Sequence, residues 1–169
     1  MSQYLKYYSR QLVHPVTLIS SKDGERENVA TMAWVSAVST EPPLLMVAIH
    51  PKRFSHDLVL ASGEFAILVL SNLQKELSTL AGTISGKKTN KWDLDPFSRL
   101  KRKANKIKAP VMDECRAILE CKLVNHITAG DHTLFIGEIV SSEFNQNVQP
   151  LILFNHRYFN PGQFIANYP

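Results

Sequence analysis

The chain reads as a mainly β protein with short helices, folded as an antiparallel barrel. Three observations predict this. Short apolar and β-branched runs recur along the 169 residues, separated by turn residues. Asp23-Gly24 and Gly130-Asp131 each stand between two such runs, as hairpin turns do. Only two or three short stretches carry helical spacing, and the alternating βαβ order of a parallel sheet is absent.

The elements follow in order. Residues 16–20 form a β-branched run, and Asp23-Gly24 supplies a turn in a slightly long hairpin loop. Residues 29–38 then read as one strand. Pro42-Pro43 breaks the chain, residues 44–50 form a third strand, and Pro51 ends it. Ser55 is placed to cap a helix over residues 55–61, with Asp57 in its first turn and Gly63 just past its end. Residues 64–71 read as a buried strand. Asn72 is placed to cap a second helix, with Leu73, Leu77 and Leu80 at helical spacing and Gly82 as terminator. Residues 82–108 are polar, basic and weakly periodic, which predicts a long loop with one short helix at most. Residues 116–128 and 134–144 form a second strand pair. Residues 151–154 and 157–158 suggest a last hairpin.

Composition bounds the function. With 44% hydrophobic and 20% charged residues, the chain is expected to be one globular domain over residues 1–169. Its longest apolar runs, residues 44–49 and 65–70, are far shorter than the roughly 20 residues of a membrane-spanning helix. Residues 1–10 are polar and carry no secretory signal. The two cysteines, Cys115 and Cys121, predict a reducing, cytoplasmic setting, with both thiols packed on one face of one strand. No C-x-x-C, H-x-H or H-E-x-x-H is present, so neither a redox pair nor a metal site is expected. The phosphate loops G-x-G-x-x-G and G-x-x-x-x-G-K-[ST] are absent too, so a nucleotide would need another device. The net charge of +4 is uneven: residues 87–108 hold nine Lys or Arg against Asp93 and Asp95. Nucleic-acid binding is not expected there, because only Trp92 and Phe97 offer rings for bases to stack on.

Four clusters are candidates for chemistry. On a strand, Asn28, Ala30, Met32, Trp34 and Ser36 share one face, and Thr31 and Ala33 lie on the other. Small residues beside polar ones let a flat ring approach the backbone, although a core strand would look the same. Lys52, Arg53, Phe54, Ser55 and His56 stand at a strand-to-helix junction. A helix N-terminus, a guanidinium and a hydroxyl together suit a phosphate, and equally a solvated, capped turn. Residues 82–92, with Gly82, Ser85, Gly86, Lys87, Lys88 and Lys91, form a glycine- and lysine-bearing segment that could cradle an anion or simply be an exposed loop. His132, beside Asp131, is a candidate proton donor if it faces a pocket.

The order of these clusters, from Asn28-x-Ala30-Thr31-x-Ala33-Trp34 through Arg53-x-Ser55-His56, Ser85-Gly86 and Lys91 to Gly130-Asp131-His132, resembles the flavin reductase-like family of FMN-binding split barrels. The resemblance covers about residues 12–140. It implies an FMN-binding split β-barrel, a homodimer with sites at the subunit interface, and electrons passing from NAD(P)H through bound flavin to free flavin, a ferric complex or a partner protein. The alternative it leaves open is an FMN-binding electron carrier without NAD(P)H activity. It implies ring contacts at Asn28, Ala30, Thr31, Met32, Ala33 and Trp34. Phosphate or ribityl contacts are implied at Lys52, Arg53, Phe54, Ser55, Ser85, Gly86 and Lys91, and His132 is implied near the nicotinamide. The basic segment 87–108 is expected to be a solvated loop near the flavin phosphate or a nucleotide substrate.

Overall fold

The structure, a computed structural model, describes residues 5–167. A 3-10 segment, Leu5–Gln11, leads into strands β1 (His14–Pro15), β2 (Thr17–Asp23), β3 (Arg26–Met32), β4 (Val35–Ser39) and β5 (Leu44–Ile49). Helix α1 (Phe54–Ser62), strand β6 (Glu64–Val69) and helix α2 (Lys75–Thr83) follow. Next come a 3-10 turn (Lys91–Asp93), helix α3 (Phe97–Leu100), β7 (Lys101–Arg102) and β8 (Val111–Met112). The chain finishes with the long hairpin β9 (Ala117–Ala129) and β10 (His132–Phe144), then β11 (Ile152–Phe154) and β12 (Arg157–Phe159).

Seven strands form one antiparallel sheet in the order β3-β2-β6-β9-β10-β5-β4. Its two edges are β3 and β4, which are consecutive in the chain and joined only by Ala33 and Trp34. A flat sheet of seven strands would hold those edges about 29 Å apart. Three residue steps reach about 11 Å. The sheet must therefore curl until its edges meet, which makes a barrel with a split between β3 and β4. The single strand expected over residues 29–38 is thus two strands on opposite edges. The break falls at Ala33-Trp34, where the Trp34 carbonyl accepts from Ala48 N–H (3.0 Å) on β5.

The sheet is packed on both faces. Ile19, Val47, Ile49, Phe65, Ile67 and Phe135 fill the barrel interior. Leu18, Ala66 and Leu68, their neighbours along β2 and β6, point outward under α2 and the segment 92–112. This two-sided burial is why β6 reads as continuous apolar sequence rather than alternating. The two cysteines fall on different sides: Cys115 precedes β9 and packs in the outer core, whereas Cys121 faces the barrel interior. The expectation of a shared strand face fails because the chain reaches the sheet only at Ala117. Burial pushes both thiols up to about 12.

Local details differ from expectation for identifiable reasons. The β2–β3 loop is two residues, not a long one, because Asp23 already pairs with Arg26 and Gly24 takes φ 59°. The first helix begins at Phe54 with Arg53 at its N-cap and no side-chain cap, since Ser55 Oγ is engaged by Asn28. Gly63 ends it in the left-handed region, as expected. Asn72 does not cap the second helix; its N–H donates to Gln149 O (2.8 Å), and the helix starts after Gln74. Gly82 lies inside α2 and does not terminate it. A Cβ there would lie 3.4 Å from Thr31 Oγ1, so the small residue lets α2 press on β3.

The basic segment is only partly a solvated loop. Arg102 pairs with Asp113 and Glu143 at 2.7 Å each, and Lys101 pairs with Glu27. The backbone N–H groups of Asn105 (2.8 Å) and Lys106 (2.6 Å) donate to the buried Glu120 carboxylate. This clasp ties residues 99–113 across the sheet. Only its leading part, as far as Lys91, reaches the cleft described next.

Candidate functional site

A cleft of about 170 Å³ opens where β3, the first turn of α1, the end of α2 and the segment 84–91 converge. Ten sequence-predicted residues line it: Asn28, Ala30, Thr31 and Met32 from β3; Lys52, Arg53 and Phe54 from the α1 junction; Ser85, Gly86 and Lys91 from the segment after α2. Ser55 stands one layer behind, its Oγ accepting from Asn28 Nδ2 at 2.8 Å. Lys87, from the same segment, adds a fourth cation beside Lys52, Arg53 and Lys91. Among the described residues no carboxylate lines the cleft.

Each position has a local cause. Pro51 ends the strand extension, and Arg53 N–H bonds His50 O (2.9 Å), which turns the chain so that Lys52 and Arg53 precede the helix. The first-turn amides of a helix lack intrahelical partners and carry partial positive charge, so α1 presents them beside these cations. Lys91 is held from below. The side chain is 2% exposed, and its ammonium donates to Ala81 O at 2.8 Å, at the C-terminal turn of α2. Burial, and then the nearby Arg53 charge, push the Lys91 ammonium down to about 8. Thr31 Oγ1 donates to Ser78 O (2.5 Å) and ties β3 to α2.

Two features mark the floor of the cleft. Asn28 is 2% exposed and its Oδ1 has no hydrogen-bond partner. A buried carbonyl oxygen without a donor costs on the order of 1–3 kcal/mol, which a hydroxyl or N–H of a ligand would relieve. Directly above it, a Cβ on Gly86 would lie 2.1 Å from Asn28 Oδ1. Only glycine lets the loop close over that amide.

Ala33 and Trp34 do not line this cleft. The crossover between the barrel edges turns them away to a second hollow. His132 is also elsewhere, at the start of β10. Its ring lies 4.8 Å from the Trp34 ring and 5.4 Å from that of His50. Its Nδ1–H donates to Asp131 Oδ1 at 2.6 Å, a bond that holds the Asp131 carboxyl below the usual range and fixes the imidazole's orientation. His50 was not among the sequence candidates; it sits at the end of a strand with no motif to mark it. Lys87 stood in the third cluster, where nothing in the sequence set it apart from Lys88. Among the described residues no group of His, Cys, Asp or Glu could hold a metal ion, and no helix is long and apolar enough to cross a membrane.

The protein is thus a split barrel with a cation-rich cleft against one of its edge strands. The sequence pattern of the flavin reductase-like domain matches residues 9–162, and the chain belongs to that family. An uncharacterized protein of Archaeoglobus fulgidus is 43% identical over 117 residues, 69% of this chain and 64% of that protein. The chain thus spans a little under two thirds of that relative. The FMN reductase (NADH) RutF of Pseudomonas syringae is 28% identical over 128 residues, 76% of this chain and 68% of its own. The solved flavin reductase PheA2 superposes with a TM-score of 0.81 at 26% identity, covering 96% of this chain and all of that one.

Proposed function

We propose that the cleft binds FMN and that the protein is an NAD(P)H-dependent flavin reductase. One observation carries the reading: four cations and a buried, unpartnered amide oxygen converge on one cleft with no carboxylate to neutralise them. A phosphate monoester brings close to two negative charges at neutral pH. Arg53 suits two of its oxygens in a fork, and Lys52 and Lys87 add charge. Lys91 gives one proton to Ala81 O and keeps two for the ligand. Asn28 Oδ1 would accept from a ribityl hydroxyl or a ring N–H, and Ala30, Met32 and Phe54 would offer an apolar wall to the rings. The chain's residues thus bind, orient and shield the ligand. Flavin, when bound, supplies the hydride and electron transfer that side chains cannot.

Family membership and a relative that is an FMN reductase using NADH support the same reading. His132, its ring set by Asp131, is the candidate proton donor beyond Trp34. The acceptor is free flavin, another small molecule or a partner protein. A homodimer fits the half-exposed apolar residues Val38, Val124 and Ile127 on β4 and the outer half of β9.

The test is anaerobic addition of NADH, then NADPH, to the protein mixed with FMN. The reading expects the visible flavin band to bleach with at least one donor. FMN bound but not bleached would leave a flavin carrier, and no FMN binding would overturn the reading altogether.

A further inference from the structure

Behind the Ala33-Trp34 crossover lies a second hollow, of about 230 Å³, none of whose lining residues belongs to the first cleft. Its walls come from both ends of the chain. The N-terminal 3-10 segment gives Arg10, β1 gives His14, and the hairpin β11–β12 gives Leu153 and His156. Hydrogen bonds frame it: Asn155 N–H donates to Arg10 O at 3.2 Å, and His14 Nε2 lies 3.2 Å from Ser9 O. Strand β1 pairs with β11 through His14 and Leu153.

Its chemistry differs from that of the cleft. Among the described residues its lining has one guanidinium, Arg10, packed 4.1 Å from the Tyr7 ring centroid, and no acidic side chain. Leu12, Leu153 and the Trp34 indole give it an apolar side. The turn that closes it is also unusual. Asn155 and His156 both take positive φ, 47° and 59°, at positions where hairpins favour Asn-Gly. A histidine in the left-handed region costs stability that glycine would not, and this one lines the hollow.

We propose that this hollow is a binding site for a small aromatic carboxylate, with its ring against Trp34 and its carboxylate on Arg10. A guanidinium fork matches a carboxylate in shape and charge. The imidazole of His156 adds an N–H donor, while the His14 ring is held by its Nε2–H donating to Ser9 O. A phosphate dianion suits it less, because among the described residues the hollow has one permanent cation where the first cleft has four. Met32 lines the cleft, and the next two residues line the hollow, so the two ligands would lie side by side across the crossover. The proposal rests on its own residues and not on the flavin reading.

The experiment is a calorimetric titration of the full-length protein, first alone and then with FMN added, using benzoate, benzyl alcohol and inorganic phosphate in turn. Benzoate binds with a Kd of about 1 mM or tighter, and the other two bind at least about tenfold more weakly. Arg10→Gln weakens benzoate about tenfold or more and leaves FMN affinity unchanged. His156→Gly weakens benzoate while raising the melting temperature, and keeps the test alive if Arg10→Gln does not fold. No heat from benzoate at about 10 mM, equal binding by both variants, or release of FMN by benzoate would each overturn the proposal.

Discussion

Arg53 and Lys91 repel one another across a cleft with no carboxylate to answer either. Such an arrangement raises the energy of the empty site and makes an anion its natural complement. Arg53→Ala therefore weakens FMN binding by about 1.5–3 kcal/mol, the range for a hydrogen bond to a charged group. It leaves thermal stability nearly unchanged, because Arg53 is exposed. Flavin fluorescence quenching and a melting curve check both halves. Lys91 gives the site a pH signature. In the free protein its ammonium is held down to about 8, against 10.5 for an ordinary lysine. Between those values the unfolded chain binds more protons than the folded one, so stability due to Lys91 rises with pH through that window. The penalty is fully present below about 8. A bound phosphate acts in the opposite direction, since it favours the protonated ammonium. FMN affinity then falls as pH rises through about 8, and Lys91→Met flattens that dependence. Titrations at several pH values on either side of 8 decide it.

At the scale of elements, the site exists because β3, α1 and α2 are tied to one another by short polar contacts. Asn28 reaches Ser55 and Thr31 reaches Ser78 O. The loop after α2 then closes on Asn28 through Gly86. Gly86→Ala puts a methyl carbon 2.1 Å from Asn28 Oδ1, so the amide or the loop must shift. The expected result is a loss of FMN affinity of about tenfold or more with a modest change in melting temperature. These ties explain what the sequence showed and what it hid. Asp23-Gly24, Gly63 and Gly130 were legible because positive φ there calls for glycine. The Arg53-Phe54-Ser55 junction was legible because proline and a helix start stand together. Ser55 was misread as a cap because its partner, Asn28, is 27 residues away. The break at Ala33-Trp34 was hidden because both sides of it are β-prone, and only closure of the barrel demands it. The anchoring of residues 99–113 was hidden too, since Glu27, Glu120 and Glu143 lie far from it along the chain.

The whole molecule divides its charge as it divides its core. The excess cations of residues 87–108 are partly answered by carboxylates, and two of the others, Lys87 and Lys91, line the cleft. Barrel closure brings the β3 edge, which bears that cleft, next to the β4 edge, beyond which Trp34, His50 and His132 cluster. A phosphate anchored at one end of β3 would thus direct a ring system toward the crossover. The central claim is that the cleft recognises the phosphate of FMN, and comparison of FMN with riboflavin, which lacks only that phosphate, tests it most directly. Fluorescence titrations of both ligands into the wild-type protein and Arg53→Ala give the four affinities needed. FMN binds the wild type about a hundredfold or more tighter than riboflavin, and Arg53→Ala narrows that gap by weakening FMN alone. Equal affinity of the wild type for the two flavins would contradict the account.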